Sequence, residues 1–316
     1  MTRHLRTFVC AIALISCGSV ASARTVQPAL PAQPARPQRA PDTDQTVDVA
    51  RGTRLSIDNF AGEVVLRTWN RDALRVVARH SSRTKVSIRT RNGVASIDAQ
   101  GSMGPASVDY EVTAPLWMAV KVNGTFNYIS IEGTQAEITA STVRGDIVIK
   151  GGTGFVTAKS VEGQVSLDGA KGRLNVESVN EGVSLANCSG DIVVATTNGS
   201  ISMINVSATS AEATTVNGDI TFEGTISGGR YRLATHNGGI IVAVPETSSA
   251  TFSVRTYNGS FNTAFPLKGG NTADARRGRR VIYTLGSGEA EVELETFSGG
   301  IRIARPGSIK SRQGRE

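Results

Sequence analysis

From Val120 onward, apolar residues occur as pairs two positions apart, and the pairs return every nine residues. They are Val120/Val122, Ile129/Ile131, Ile138/Ala140, Ile147/Ile149, Val156/Ala158, Val165/Leu167, Leu174/Val176, Val183/Leu185, Ile192/Val194 and Ile201/Met203. Every one of these positions is apolar in a chain that is 39% hydrophobic, a coincidence on the order of 10⁻⁸ before allowing for the choice of phase. The two-residue step within a pair puts both side chains on one face of a β-strand. The fixed step between pairs means that short strand-and-turn units are stacked, each burying its apolar face with its neighbours.

Glycine stands two residues before many of the pairs, at Gly145, Gly154, Gly163, Gly172, Gly190 and Gly199, where a turn redirects the chain and positive φ is expected. Beyond Ile201 the spacing loosens: Ile201, Ile220, Ile240 and Phe261 lie 19, 20 and 21 residues apart. Asn198-Gly199, Asn217-Gly218, Asn237-Gly238 and Asn258-Gly259 mark one recurring turn. Asn-Gly also favours hairpins. A period of about 18 to 21 residues, two nine-residue units per coil, fits instead a solenoid that stacks these asparagines above one another. The expected fold is all-β, a right-handed parallel β-helix or β-solenoid of roughly nine or ten coils over residues 119–304. Residues 50–118 repeat less regularly, although Leu55/Ile57, Val64/Leu66, Leu74/Val76, Val86/Ile88 and Val108/Tyr110/Val112 still alternate. They are expected to form an irregular N-terminal β cap over the first coil's open edge. With aromatic residues at 5%, the interior should be thin and aliphatic.

The chain begins with Arg3 and Arg6 ahead of an apolar run from Phe8 to Ile15, and Ala21-Ser22-Ala23 follows. Residues 1–23 read as an export signal peptide cut after Ala23. A second reading takes Leu14-Ile15-Ser16-Cys17 as a lipoprotein signal, with a lipid anchor at Cys17. The run is shorter than the ~20 apolar residues a membrane helix needs, and no later stretch is long enough, so no transmembrane helix is expected. Residues 24–49 form a linker stiffened by Pro28, Pro31, Pro34, Pro37 and Pro41, and residues 305–316 form a basic tail.

The formal charge of +7 resides at the ends, in Arg3 and Arg6, in Arg24, Arg36 and Arg39, and in Lys310, Arg312 and Arg315 against Glu316. Residues 42–305 balance to zero, so no nucleic-acid surface is expected. Past the signal, only Cys188, His80 and His236 remain of the cysteines and histidines. That leaves no internal disulfide and no zinc-ligand spacing. Gly151-Gly152-Thr153-Gly154-Phe155-Val156 begins like a calcium-binding nonapeptide repeat, but Val156 stands where the essential aspartate belongs. Asp146, Asp191 and Asp219 fit turn caps better. His236 occupies the position held by Thr197, Val216 and Tyr257 in neighbouring repeats and reads as a turn residue, and no Ser/His/Asp trio can be assembled. Glu289, Glu291, Glu293 and Glu295 share one face of a strand, while Arg276, Arg277, Arg279 and Arg280 form a basic loop. These read as a solvated outer face with a charge-blocked edge; the competing reading is a site for a cation or charged polymer. No catalytic residue, cofactor-binding residue, metal ligand or cofactor is assigned.

Further motifs are Asp58-Asn59-Phe60-Ala61-Gly62-Glu63-Val64, Tyr110-Glu111-Val112-Thr113-Ala114-Pro115 and the recurring Asn-Gly-[Asp/Ser/Gly]-Ile. Gly286-Ser287-Gly288 and Phe297-Ser298-Gly299-Gly300-Ile301 close the region. Through these, residues 50–304 resemble the bacterial putative-adhesin β-strand-repeat family, an exported or envelope-associated domain of unknown function. The resemblance implies a β-helix-like fold and supplies no catalytic residue. The expected function is that of a non-catalytic exported scaffold, periplasmic or on the outer cell surface. Its rigid sheets would bind an envelope polymer or protein through weak multisite contacts. The alternative is a glycan-active β-helix enzyme in the cell envelope. A groove lined by clustered Asp, Arg and aromatic residues favours the enzyme, whereas a smooth flank with scattered Thr, Ser and Asn favours the scaffold.

Overall fold

The computed structural model describes residues 42–266, 268–269 and 278–308. The signal segment with Cys17, the linker up to residue 41, Arg276, Arg277 and the tail beyond Ser308 lie outside the described residues. Within them the regular structure is all-β, twenty-four strands in one hydrogen-bonded sheet wound as a parallel β-solenoid with an irregular N-terminal β cap. No helix there is long and apolar enough to cross a membrane.

The nine-residue pairs account for the winding. Ile138/Ala140 lie on the strand Ile138–Arg144 and Ile147/Ile149 on Ile147–Lys150, and all four side chains are fully buried. The next coil repeats them in parallel register, with Val156 opposite Ile138, Ala158 opposite Ala140, Val165 opposite Ile147 and Leu167 opposite Ile149. Like side chains thus stack on like, which suits β-branched residues on a pleated, half-buried surface. A third interior column contributes one residue per coil, Gly152, Ala170, Cys188 and Val206, held together by Lys171 N–H to Gly152 O and its equivalents. The thiol of Cys188 therefore packs as core, and burial pushes its pKa up.

Past Ile201 the longer coils are accommodated by register shifts beside Asn205 and Thr209. The wider interior admits rings: Phe222, Tyr231, Phe252, Phe261 and Tyr283 are buried here. Phe222 meets Tyr231 edge-on at 6.2 Å, and Phe261 lies 4.9 Å from Tyr283. The core is aliphatic in the middle coils and aromatic where the coils lengthen.

Both ends depart from chain order. Arg54–Trp69, in the region expected to be cap, is a full coil, with Leu55 opposite Val120 and Val64 opposite Ile129. Val94–Gly101 and Asp109–Pro115 cover its other side in parallel. The antiparallel strands Thr43–Asp48, Ala73–Arg79 and Thr84–Arg91 close the stack, so residues 43–48 of the expected linker are strand. At the other end the chain leaves Ile240–Ala243, skips a coil position, and builds the outer coil Ala250–Asn258 with Phe261–Thr263. It adds Val281–Leu285 antiparallel, then returns to lay Ala290–Ser298 and Ile301–Ala304 in the gap.

This inversion corrects two expectations. The acidic strand Ala290–Ser298 has partners on both sides and is no edge. Its glutamates do not simply face solvent: Glu291 meets Arg230 at 3.3 Å, Glu293 meets Arg280 at 2.6 Å and Arg232 at 3.8 Å, and Glu295 pairs with Arg255. The asparagine ladder also ends early. Asn198 donates to Asn180 at 3.2 Å, Asn217 to Asn198 at 2.8 Å and Asn237 to Asn217 at 2.9 Å. Ser298 then separates Asn237 from Asn258.

Candidate functional site

Two residues after each inward pair, the first strand of a coil ends on a buried hydroxyl followed by an outward side chain. In stack order the dipeptides are Thr142-Val143, Ser160-Val161, Ser178-Val179 and Thr196-Thr197. Thr215-Val216, Thr235-His236, Thr296-Phe297 and Thr256-Tyr257 continue the row. Each hydroxyl donates to a turn carbonyl of the coil before it, as Ser160 does to Gly145 at 3.0 Å, Ser178 to Gly163 at 3.0 Å and Thr215 to Gly199 at 2.9 Å. Thr235, Thr296 and Thr256 do the same to Gly218, Gly238 and Gly299. A buried hydroxyl left unpaired costs about 1–3 kcal/mol, so the short polar side chain and its carbonyl recur together.

The same turns explain two glycines differently from expectation. Gly145, Gly154, Gly172 and Gly190 take positive φ, but Gly163 and Gly199 do not. At those two positions a Cβ would lie 2.0 Å from Gly145 O and 2.2 Å from Glu181 O. Glycine is required there because successive coils approach too closely for a side chain.

The residue after each hydroxyl forms a ridge along the solenoid. Val143, Val161, Val179 and Val216 are 39–48% exposed, and Thr197 interrupts them. The ridge ends in rings: His236 stacks flat on Phe297 at 4.7 Å with 6° between planes, and Tyr257 follows at 5.4 Å. His236 is therefore part of an aromatic column and more than a turn residue. Coil inversion creates the column by placing Phe297 between His236 and Tyr257. The residue before each hydroxyl forms the facing wall, where Lys159 pairs with Glu177 at 2.8 Å and Glu295 with Arg255. Ridge and wall enclose a shallow groove floored by the hydroxyls. One stretch of about 440 Å³ runs beside Val143, Val161 and Val179, and another of about 480 Å³ beside His236, Phe297 and Tyr257.

The other polar candidates have structural roles. The Asp146 carboxylate accepts from Gln164 N–H at 2.8 Å and Asp219 accepts from Gly239 N–H at 2.7 Å, each linking a turn to the next coil. Hydrogen bonds from Thr209 and Ser210 hold the Asp191 carboxyl below the usual carboxylate range. His80 lies in the N-terminal cap, where Nδ1–H donates to Ser81 O at 2.8 Å and Nε2 is hydrogen-bonded to Thr43 Oγ1 at 2.9 Å. Among the described residues, no group of three or more His, Cys, Asp or Glu side chains could hold a metal ion. Glycan cleavage usually needs two carboxyls flanking the bond, one kept protonated by apolar surroundings. Along the groove, Glu177 lies against an ammonium and Glu295 against a guanidinium.

The apolar pairs of the sequence point inward and do not reveal this groove. Its signal was present in the same repeats, as Ser or Thr followed by Val or an aromatic residue.

A family model described as Toastrack DUF4097 matches residues 52–304. Comparison with curated proteins gives no match. Among solved structures, the chain is similar to a putative adhesin from Bacteroides fragilis NCTC 9343, with 12% identity over 83% of this chain and 96% of that one and a TM-score of 0.42. It is also similar to a putative adhesin from Parabacteroides merdae ATCC 43184, with 10% identity, 83% and 96% coverage and a TM-score of 0.37. A putative cell adhesion protein from Clostridium sporogenes ATCC 15579 shows 10% identity, 83% and 99% coverage and a TM-score of 0.19.

Proposed function

The chain belongs to the Toastrack DUF4097 family, and from that premise we propose that it is a non-catalytic, exported binding scaffold of the cell envelope. The observation that carries this reading is the groove, two stretches with the same floor and wall positions in coil after coil and an exposed apolar ridge beside them. A row of exposed apolar side chains on a soluble surface marks a contact site. Repetition multiplies weak contacts into useful affinity without a deep pocket. Charged groups along the groove are engaged with one another, which favours holding a partner over cleaving it.

Residues 1–23 serve as the signal, residues from 24 as a proline-stiffened spacer, and residues 305–316 as a solvated basic tail, with the scaffold in the periplasm or on the outer surface. Intact-mass analysis of the native protein should find a chain starting at Arg24. A lipidated Cys17 would move the anchor but keep the export reading, and a cytoplasmic species starting at Met1 would end it. Purified protein incubated with peptidoglycan and lipopolysaccharide should be retained without releasing products. Paired Val161→Lys and Val179→Lys substitutions should lower that retention about tenfold or more, as expected for loss of a central contact. New reducing ends that vanish in Glu295→Gln would establish the enzyme instead.

A further inference from the structure

We propose that the groove takes an extended, uncharged β-linked glycan lying along the solenoid axis, one sugar unit per coil. This rests on the scaffold reading and names its ligand class. Coil spacing limits what can lie in the groove. Neighbouring coils lie about 4.8 Å apart, and the groove offers the same floor, wall and ridge positions at each step. A ligand running along the axis keeps equivalent contacts only if its own repeat matches that step or twice that step. An extended peptide advances about 3.4 Å per residue and about 6.8 Å between side chains on one face, so it drifts out of phase within a few coils. Nor can a peptide add itself as a strand, because the groove-forming strands are already paired with coils on both sides. A pyranose chain with equatorial linkages advances by close to one strand spacing per sugar and turns over at each, so like faces return at every second coil and the chain stays in phase.

The chemistry of the groove agrees. A pyranose presents apolar C–H faces and a rim of hydroxyls. The ridge supplies the apolar surface, through Val161 and Val179 in the middle and Phe297 and Tyr257 at one end. The wall supplies polar groups whose charges cancel locally, Lys159 against Glu177 at 2.8 Å and Arg255 against Glu295. A wall neutralised in this way favours a polyhydroxylated neutral chain over a polyanion.

The test is titration of the full chain by calorimetry with cello- and chito-oligosaccharides of two to eight units, and with malto-oligosaccharides as the curled, α-linked control. Affinity for the β-linked series should rise several-fold with each pair of added sugars. Phe297→Ala should weaken the longest oligosaccharide about tenfold, and Val161→Lys with Val179→Lys should flatten the length dependence. Both sites are exposed, and unchanged urea unfolding will show that the variants fold. Equal binding of the α-linked series, or no dependence on length, overturns the proposal. So does capture of an envelope component that protease destroys, glycan digestion spares and the ridge variants abolish, although that last result leaves the scaffold reading standing. Failure of every probe together with failure to retain peptidoglycan or lipopolysaccharide would remove both.

Discussion

At the scale of single residues, the tightest constraint in this solenoid is steric and lies in the turns. Gly163 carries no side chain because Gly145 O would sit 2.0 Å from its Cβ, and the carbonyl cannot retreat without breaking its hydrogen bond from Ser160. Gly169 presents the opposite case, a φ of +71° with nothing within 4 Å. Alanine at Gly169 meets only the left-handed backbone cost, about 1–2 kcal/mol. Gly163→Ala forces two coils apart and disturbs a buried hydroxyl, so roughly 3 kcal/mol is expected from overpacking and the weakened bond. Urea melts of the two variants separate these causes. Equal losses, or a larger loss at Gly169, would show that backbone conformation and not coil approach sets the requirement.

Between elements, the outward side chains help select which coil sits beside which. Inward pairs such as Leu233 and Leu294 are interchangeable between coils, but Glu291, Glu293 and Glu295 find arginines on both flanks only between Arg230–Asn237 and Ala250–Asn258. Single exposed pairs of this kind contribute about 0–1 kcal/mol, yet reversing all three glutamates to lysine places cations against Arg230, Arg232, Arg255 and Arg280 at once. The triple variant should release the C-terminal coil, seen as early protease cutting C-terminal to Thr263 and a lower melting temperature. Reversing Arg230, Arg232 and Arg255 to glutamate in the same chain should restore much of both. A triple variant that melts and resists protease like the parent would refute a role for charge in coil order. The same physics explains what was legible beforehand. Periods of two and nine expose strands, inward faces and stacking, because those depend on each residue's own repeat. The inverted order at the ends depends on pairings between segments far apart in sequence, and neither Leu294 nor Glu293 reveals its neighbour. The groove lay between these cases: Ser160-Val161 and its equivalents were visible, but Phe297 entered the aromatic column only through the inversion.

Over the whole molecule, stability should be uneven, because each coil touches only its neighbours and the two ends are closed by different means. The middle of the stack rests mainly on apolar columns, although Asp191 there is also held below the usual carboxylate range by Thr209 and Ser210. The N-terminal cap depends more on carboxylates: Asp44 accepts two hydrogen bonds from Arg75 at 3.0 and 2.7 Å, and Asp72 accepts one from Trp117 Nε1 at 2.8 Å with Arg51 at 3.4 Å. The hydrogen bond from Arg75 holds Asp44 below the usual carboxylate range, and the hydrogen bond from Trp117 does the same for Asp72. Since both folded values are depressed, the unfolded cap binds protons first. The contribution of each pair is complete above the ordinary aspartate pKa of about 4 and is lost as pH falls through the lower folded values. Acid should therefore loosen the cap before the stack. The chain's two tryptophans, Trp69 and Trp117, both lie at this end, so their fluorescence reports the cap and the first coil it covers, while far-ultraviolet circular dichroism reports the whole β-stack. Below pH ~4 the fluorescence should shift while the β signal persists, and Asp72→Asn, which keeps an acceptor for Trp117 but cannot ionise, should remove part of the pH dependence. If fluorescence and circular dichroism instead collapse at a single pH, the cap and the stack unfold as one unit and the division of labour between carboxylates and apolar columns is wrong.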